Sequence, residues 1–196
     1  MPYLKIIRVI SNRSKAFGLT RAENASIPTA YHNLISGKYH ASGEKDVTVI
    51  QKAREKYNAD LAQMVIADEP DIVVCAGWMH VFDEHFLDPL TEKKIPVINL
   101  HPALFGKYDG KDAIKRAYDD YHKGQLENNR TGIMVHYVIR DVDRGTPIIQ
   151  REIECRPTET LDELTNRMHE QEHELILEGT AMAITKLWEE RGRTAA

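Results

Sequence analysis

Asn99 and His101 stand two residues apart at the end of a short apolar run, and their side chains suit acyl-group chemistry. In an extended chain, side chains two residues apart share a face, so an amide and an imidazole point into one space. Such a pair can stabilise an oxyanion and move a proton. The alternative is structural, with the asparagine capping a loop and backbone groups satisfying the histidine. From these two residues alone, both interpretations stay open.

Two carboxylates, Asp141 and Asp143, lie in a turn that contains Gly145 and joins two β-rich runs. Loops on a rigid scaffold often carry catalytic groups. Aspartate is also common in turns because it hydrogen-bonds the local backbone. Taken alone, the segment is therefore better explained as an ordinary acidic turn.

The segment 169–173 reads His-Glu-Gln-Glu-His and formally matches the zinc-protease motif on a helix. No histidine follows it in this sequence to supply a third ligand, so a zinc site is disfavoured. On the same helix, Glu172 falls between Met168 and Leu175 of the apolar, core-facing stripe. An inward carboxylate must find donors or a ligand. The alternative is a surface glutamate at the edge of the stripe.

The composition disfavours several classes of function. The 196 residues carry 26 basic and 30 acidic side chains, for a net charge of -4, with no basic block that would follow a phosphate backbone. The longest apolar run, Ile72 to Met79, is far shorter than the ~20 residues of a membrane span. Cys75 and Cys155 are too few for a disulfide framework. We therefore predict a cytoplasmic domain with no nucleic-acid or membrane partner.

Strands and helices alternate along the chain, which predicts an α/β fold whose doubly wound sheet is mainly parallel. In such a sheet, ligands bind beyond the carboxyl ends of the strands, where Asn99 and His101 lie. The patterns predict strands over residues 4–11, 29–34, 71–76, 96–100, 131–139 and 147–153, and helices over residues 15–25, 47–67, 111–121 and 160–190.

Six segments occur in the order found in phosphoribosylglycinamide formyltransferases. Over about residues 4–187, the chain resembles the fungal, monofunctional members of that family. The Asn-x-His-Pro motif followed downstream by the aspartate turn is the most specific shared feature. The six segments are Ser11–Leu19, Cys75–Met79, Asn99–Leu104, Thr131–His136, Asp141–Gly145 and Gln171–His173.

The resemblance implies that a formyl group moves from 10-formyltetrahydrofolate to the amine of glycinamide ribonucleotide in purine synthesis, with no metal. Asn99, His101 and Asp143 match the family's catalytic trio. Asn99 and His101 would donate hydrogen bonds to the tetrahedral oxyanion. Asp143 would orient His101 and help a proton pass from the amine to the departing folate nitrogen.

The resemblance also implies two binding surfaces, both for small molecules. The residues that match the ribonucleotide surface are Arg54, near the phosphate, and Met79, His136 and Glu172. The residues that match the folate surface are His80, Val81, Phe82 and Val142.

The start of the chain departs from the family pattern. Family members begin with a strand, a Gly-x-Gly-x-Asn turn that grips the substrate phosphate, and a helix, whereas residues 4–11 match the second strand. We therefore expect residues 1–190 to form a single, N-terminally truncated formyltransferase domain, with a frayed tail over residues 191–196. Without the first βα unit, the sheet would have a gap or re-pair, exposing apolar edges. We expect such a chain to be poorly stable and nearly inactive.

Other functions use related sites. A formyltetrahydrofolate hydrolase and a methionyl-tRNA formyltransferase share the formyl-folate site, and the latter normally carries a further C-terminal domain that would meet tRNA. A noncatalytic folate- or nucleotide-binding remnant is the alternative from a different class. Arg54 and Glu172 favour a ribonucleotide substrate, and the intact trio favours catalysis.

Overall fold

The computed structural model describes residues 4–192, which divide into two compact units. Residues 4–71 and 82–95 form the N-terminal unit, and residues 72–81 and 96–192 form the C-terminal unit. The helices and strands in chain order are β1 (Val9–Ser11), α1 (Phe17–Asn24), β2 (Thr29–Tyr31), α2 (Val47–Ala67), β3 (Val73–Cys75), α3 (Glu84–Glu92), β4 (Val97–His101), α4 (Ala113–His122), a short 3-10 turn (Glu127–Asn129), β5 (Arg130–Tyr137), β6 (Pro147–Glu154) and α5 (Leu161–Glu190).

Two expectations concern the C-terminal tail and the crossing of a membrane. Of the tail predicted to fray over residues 191–196, residues 193–196 lie outside the described residues, and Arg191 and Gly192 form a turn after α5. Among the helices of residues 4–192, none combines the length and apolarity needed to cross a membrane.

The N-terminal unit contains a two-stranded parallel sheet, in which β1 pairs with β2. The strand predicted over residues 4–11 is wrong in its first half, because only Val9–Ser11 pair, in register with Thr29–Tyr31. Within the described part of the chain, residues 4–8 pair with no strand, and Ile6 is 59% exposed. A strand needs a neighbour to satisfy its backbone groups, so a β-rich composition alone does not make this segment a strand.

The long helix predicted over residues 47–67 is confirmed as α2, with the same bounds. It begins at the N-cap Asp46, whose carboxylate accepts hydrogen bonds from the Thr48 and Val49 N–H groups. These bonds satisfy donors that the first turn would otherwise leave free. α3 is a helix that the sequence patterns do not predict. It packs against α2, and its buried residues are Phe86, Leu87 and Leu90.

Four strands form the sheet of the C-terminal unit, in the order β3-β4-β5-β6. β3 and β4 are parallel, as predicted, whereas β4, β5 and β6 pair antiparallel. Residues 138–146 join β5 to β6, and so short a connection does not reach across a parallel pair. The α/β class is confirmed, with parallel pairs in both sheets and an antiparallel meander at the end. Among residues 4–192, no strand pairs with the outer edge of β3, where Val74 is 39% exposed.

α5 packs against β4, β5 and β6 and builds the core of this unit. The helix begins with the predicted capping box: Thr160 Oγ1 accepts from the Glu163 N–H, and the Glu163 carboxylate accepts from the Thr160 N–H. The buried residues of this core are Ile98, Ile133, Val135, Ile153, Cys155, Leu164, Met168, Leu175 and Ala183.

Gly179 allows α5 to approach β5 closely. A Cβ atom at this position would lie 2.8 to 2.9 Å from side-chain atoms of Val135. Packed carbon atoms are normally about 3.5–4.0 Å apart. The missing side chain therefore sets the spacing between the helix and the sheet.

Replacing Gly179 by alanine tests this packing. Gly179→Ala should lower the free energy of unfolding by about 1–3 kcal/mol, because the added methyl group displaces α5 from Val135. Gly18→Ala is the matched control, since Gly18 also lies in a helix and a Cβ there meets nothing within 4 Å. The control should gain up to about 1 kcal/mol, as alanine is the better helix former. Urea titrations measure both variants, and equal stabilities would contradict the assigned packing.

Candidate active site

Asn99 lies on β4, directly opposite His136 of β5 in the antiparallel ladder. The Asn99 Nδ2 atom lies 3.4 Å from His136 Nε2. His136 Nδ1 is 2.9 Å from the Tyr137 carbonyl oxygen, and since a carbonyl only accepts, Nδ1 carries the proton of this bond. Nε2 is the ring atom that faces the Asn99 amide. The cross-strand pair therefore orients the Asn99 side chain.

Asp143 joins the two histidines of the site. Its buried carboxylate has Oδ2 3.3 Å from His101 Nδ1 and Oδ1 3.4 Å from His136 Nε2. The Gly110 N–H donates a hydrogen bond to Oδ2 at 2.8 Å. The expectation of an ordinary acidic turn is therefore wrong for Asp143, which shares its two oxygens between two imidazoles. Such an arrangement suits the handling of protons.

Two backbone features of the turn aim Asp143 at the histidines. Asp143 itself has a left-handed conformation, with φ of 57°, which aspartate tolerates better than most residues. Gly145 lies so close to the backbone of β5 that a Cβ atom there would be 1.7 Å from the Tyr137 carbonyl oxygen. Any larger residue at position 145 would therefore push the turn, and Asp143 with it, away from the sheet.

Burial and hydrogen bonding act in opposite directions on the charges of the site. Burial raises the pKa of Asp143, but hydrogen bonds from His136 and the Gly110 N–H outweigh it and hold the pKa below its ordinary value. Burial lowers the pKa of His101, against the opposing effects of Asp143 and the Tyr108 carbonyl. At neutral pH the carboxylate is therefore ionised and can stabilise positive charge on His101.

Residues 105–112 form a loop, which we name the clamp loop, that contacts both His101 and Asp143. The Tyr108 carbonyl oxygen lies 3.2 Å from His101 Nε2, and the Gly110 N–H is the donor to Asp143. The sequence patterns do not single out these two positions, because both act through backbone groups. The Asp-Gly pair at 109–110 marks a turn, which is the one signal in the sequence.

Several predicted binding residues of the C-terminal unit lie at its surface, namely Met79 of the ribonucleotide side and His80, Val81 and Val142 of the folate side. Met79 is 61% exposed, Val81 58% and Val142 42%, while His80 is half-buried. Val142 shares the 138–146 turn with Ile139, which is also exposed. Large apolar side chains left in water are typical of binding surfaces when they occur together.

Two of the predicted binding residues belong to the N-terminal unit. Arg54 is exposed on α2. Phe82 stacks on Phe86 of α3, with ring centroids 4.0 Å apart and planes 14° from parallel. Arg54 is therefore available to an anion, and Phe82 is held by a stacking partner.

Glu172 points inward from α5, which decides between the two interpretations of this residue. Its side chain is 13% exposed, and its carboxylate lies 3.9 Å from His169 Nε2. Burial raises the pKa of Glu172 to about 7, against the opposing charge of His173. A buried carboxylate with a strongly raised pKa is typical of a functional site.

The zinc-like motif over residues 169–173 lies on α5, where residues three or four apart are neighbours. His169 is 53% exposed. In the part of the chain that the structure describes, no group of three or more His, Cys, Asp or Glu side chains is placed to hold a metal ion. The two histidines and Glu172 thus share α5 without forming a centre there.

The formyl transferase family profile matches residues 3–180 of this sequence. The chain therefore belongs to the formyl transferase family, a class whose chemistry fits a site of amide, imidazole and carboxylate. The phosphoribosylglycinamide formyltransferase of Schizosaccharomyces pombe is 41% identical over 180 residues, which cover 92% of this chain and 83% of the relative. That of Saccharomyces cerevisiae is 40% identical over 186 residues, covering 93% and 84%.

A solved structure agrees with these relatives. The phosphoribosylglycinamide formyltransferase of Coxiella burnetii superposes with a TM-score of 0.71 at 29% identity, covering 97% of this chain and 76% of that one. Within the formyl transferases, the chain thus groups with the phosphoribosylglycinamide formyltransferases, as the resemblance implied.

The raised pKa of Glu172 makes stability depend on pH. The unfolded side chain titrates at its ordinary value of 4.5, whereas the folded protein keeps the proton up to about pH 7. Between these values the folded state binds more protons, so stability falls as the pH rises through this window. Glu172→Gln should remove this loss and be more stable than the wild type by about 1–3 kcal/mol above pH 7.

Glu170→Gln is the control, since Glu170 is exposed on the same helix. Urea denaturation at pH 5 and pH 8 measures both variants against the wild type. Parallel pH profiles for the wild type and Glu172→Gln would count against the buried, protonated carboxyl.

Proposed function

We propose that this chain transfers the formyl group of 10-formyltetrahydrofolate to the amine of glycinamide ribonucleotide, a step of purine biosynthesis. The observation that carries the proposal is the Asp143 carboxylate, shared by His101 and His136 beside Asn99. Family membership supports formyl transfer as the reaction, and the names of the relatives support the acceptor.

The oxyanion of the reaction would be stabilised from β4. When the amine attacks the formyl carbon, a tetrahedral oxyanion and a positively charged amine form. Asn99 Nδ2 has two N–H groups, of which one faces His136 and the other is available to the oxyanion. His101 would be the second donor, sharing Nε2–H between the Tyr108 carbonyl oxygen, 3.2 Å away, and the oxyanion. Preorganised donors of this kind lower the barrier because they need no rearrangement during the reaction.

A proton must then pass from the amine to the folate nitrogen. The bond between that nitrogen and the formyl carbon breaks as the nitrogen takes the proton. Asp143, ionised and 3.3 Å from His101 Nδ1, stabilises the imidazolium and accepts the amine proton directly or through water. No step of this scheme needs a metal or a covalent bond to the protein.

Substrate binding is assigned to the remaining residues. Glycinamide ribonucleotide would contact Arg54 through its phosphate, together with Met79, His136 and Glu172. The folate would lie against His80, Val81, Phe82 and Val142.

We also propose a cytoplasmic location, because Cys75 and Cys155 are both free and buried, as is usual in a reducing compartment.

Variants of the histidine–aspartate pair test the assigned chemistry. In a background that carries the family's N-terminal βα unit, His101→Ala and Asp143→Asn should each lower turnover by about 10²–10⁴, because they remove a proton-handling group, while both substrates still bind. Asp141→Asn is the matched control, as Asp141 lies exposed in the same turn, and it should leave turnover unchanged. Turnover is measured by the absorbance change of the folate, and binding by calorimetry. Near-normal turnover of either active-site variant would refute the roles of His101 and Asp143.

Product analysis separates transfer from the alternatives. The purified chain is incubated with formyl-folate in the presence and absence of glycinamide ribonucleotide, and the products are resolved by mass spectrometry. We expect formylated ribonucleotide that depends on the acceptor and forms at a low rate. Formate released equally without the acceptor would instead indicate a hydrolase. Tight folate binding with neither product would indicate a noncatalytic module.

A further inference from the structure

The clamp loop has an unusual backbone. Gly106, Tyr108, Gly110 and Asp112 all have positive φ, at 79°, 50°, 79° and 57°, so every second residue is left-handed. The left-handed region is unfavourable for residues with a side chain. Tyr108 and Asp112 therefore hold this conformation only because other groups fix the loop.

Arg116 of α4 is one of the groups that fix the loop. Its Nη2 atom donates to the carbonyl oxygens of Tyr108 and Asp109, each at 2.6 Å. The Tyr108 hydroxyl donates to Asp120 at 3.0 Å, and Asp109 Oδ2 pairs with Arg144 Nε at 2.5 Å. The Tyr108 carbonyl oxygen thus lies between Arg116 and His101 Nε2, and this single atom links the guanidinium to the imidazole.

We propose that Arg116 is a positioning residue for His101, which it orients by holding the Tyr108 carbonyl against Nε2. The inference rests on the proposed function for its catalytic meaning. The dependence of His101 protonation on Arg116 can be tested without the reaction.

The number of protons on the imidazole decides which acceptors His101 can serve. His101 lies between two acceptors, the Asp143 carboxylate at Nδ1 and the Tyr108 carbonyl at Nε2. Neutral imidazole has one N–H and can serve one of them, whereas imidazolium serves both. Because the ionised carboxylate takes the proton of a neutral ring at Nδ1, a fixed carbonyl at Nε2 favours the imidazolium, which supplies Nε2–H for the oxyanion.

Three other titratable groups face His101. Asp143 faces the imidazole from the 138–146 turn, His136 from β5, and Asp109 from the clamp loop. All three remain when Arg116 is replaced. Removing the guanidinium charge would by itself raise the pKa of His101, so a fall in an Arg116 variant reports on the carbonyl and on the loop that carries it.

The first test is a titration that needs no activity. The imidazole carbon signals of His101 are followed by NMR across pH in the wild-type chain, in Arg116→Ala and in Lys115→Ala. We expect the pKa of His101 to fall in Arg116→Ala, because Nε2 loses its fixed acceptor. Lys115→Ala removes an exposed cation that pairs with Asp119 on the same helix, and should titrate like the wild type. Identical His101 titrations in all three proteins would overturn the proposal, even if Arg116→Ala melts at a lower temperature.

The second test uses the reaction. Arg116→Ala should lower kcat by roughly ten- to a hundredfold through misplacement of the donor, with little change in KM for either substrate. The fall of kcat at high pH should begin at a lower pH than in the wild type. Free guanidinium, far below denaturing concentrations, should restore part of the loss in Arg116→Ala and none in His101→Ala. A raised KM with unchanged kcat would contradict the positioning role. An inactive wild type would overturn the proposed function, while the titration still decides the role of Arg116.

Discussion

The buried carboxylate of Asp143 is the constraint on which the rest of the site depends. A charge removed from water is tolerated only when donors replace its hydration. His101, His136 and the Gly110 N–H supply them. Three separate segments must therefore meet at this carboxylate. The pairing of β4 with β5 brings His101 and His136 together, Gly145 lets the turn approach the sheet, and the clamp loop supplies the Gly110 N–H. Displacing any of these segments would remove one donor from a buried charge.

The two buried carboxyls of the site have opposite properties. Hydrogen bonds outweigh burial at Asp143 and keep its pKa low, whereas burial dominates at Glu172 and raises its pKa to about 7. One group is thus ionised and can accept a proton, while the other can carry a proton near neutral pH and donate a hydrogen bond. Pairs of carboxyls separated in this way by their surroundings divide acid and base roles in many active sites.

Much of the fold can be predicted from the sequence where the signal is local. α2 has its predicted bounds because its apolar period and its capping residue Asp46 both act within the helix. The Asn-x-His triplet shares a face because any extended chain imposes that geometry. By contrast, residues 4–8 are not a strand, and β5 and β6 are antiparallel, because strand pairing depends on partners elsewhere in the chain.

The sequence identifies site residues that act through their side chains, but not those that act through backbone groups. Asn99, His101 and His136 come together as their positions suggest, whereas Asp143 alone resembles an ordinary turn residue until its partners are known. Tyr108 and Gly110 act through backbone groups, so their residue types do not mark them. Arg116 is one of many exposed cations in the sequence, and only the loop that it holds distinguishes it.

The central claim is that Asp143 stays ionised in spite of its burial, because two imidazoles and an amide N–H compensate its charge. The most direct measurement is a titration of the Asp143 side-chain carboxyl carbon by 13C NMR, assigned by comparison with Asp143→Asn. We predict that this signal remains that of a carboxylate to a pH below the ordinary value of 3.8. A signal that titrates at or above that value would show that burial prevails over the three donors, and would contradict the central role of the Asp143 carboxylate.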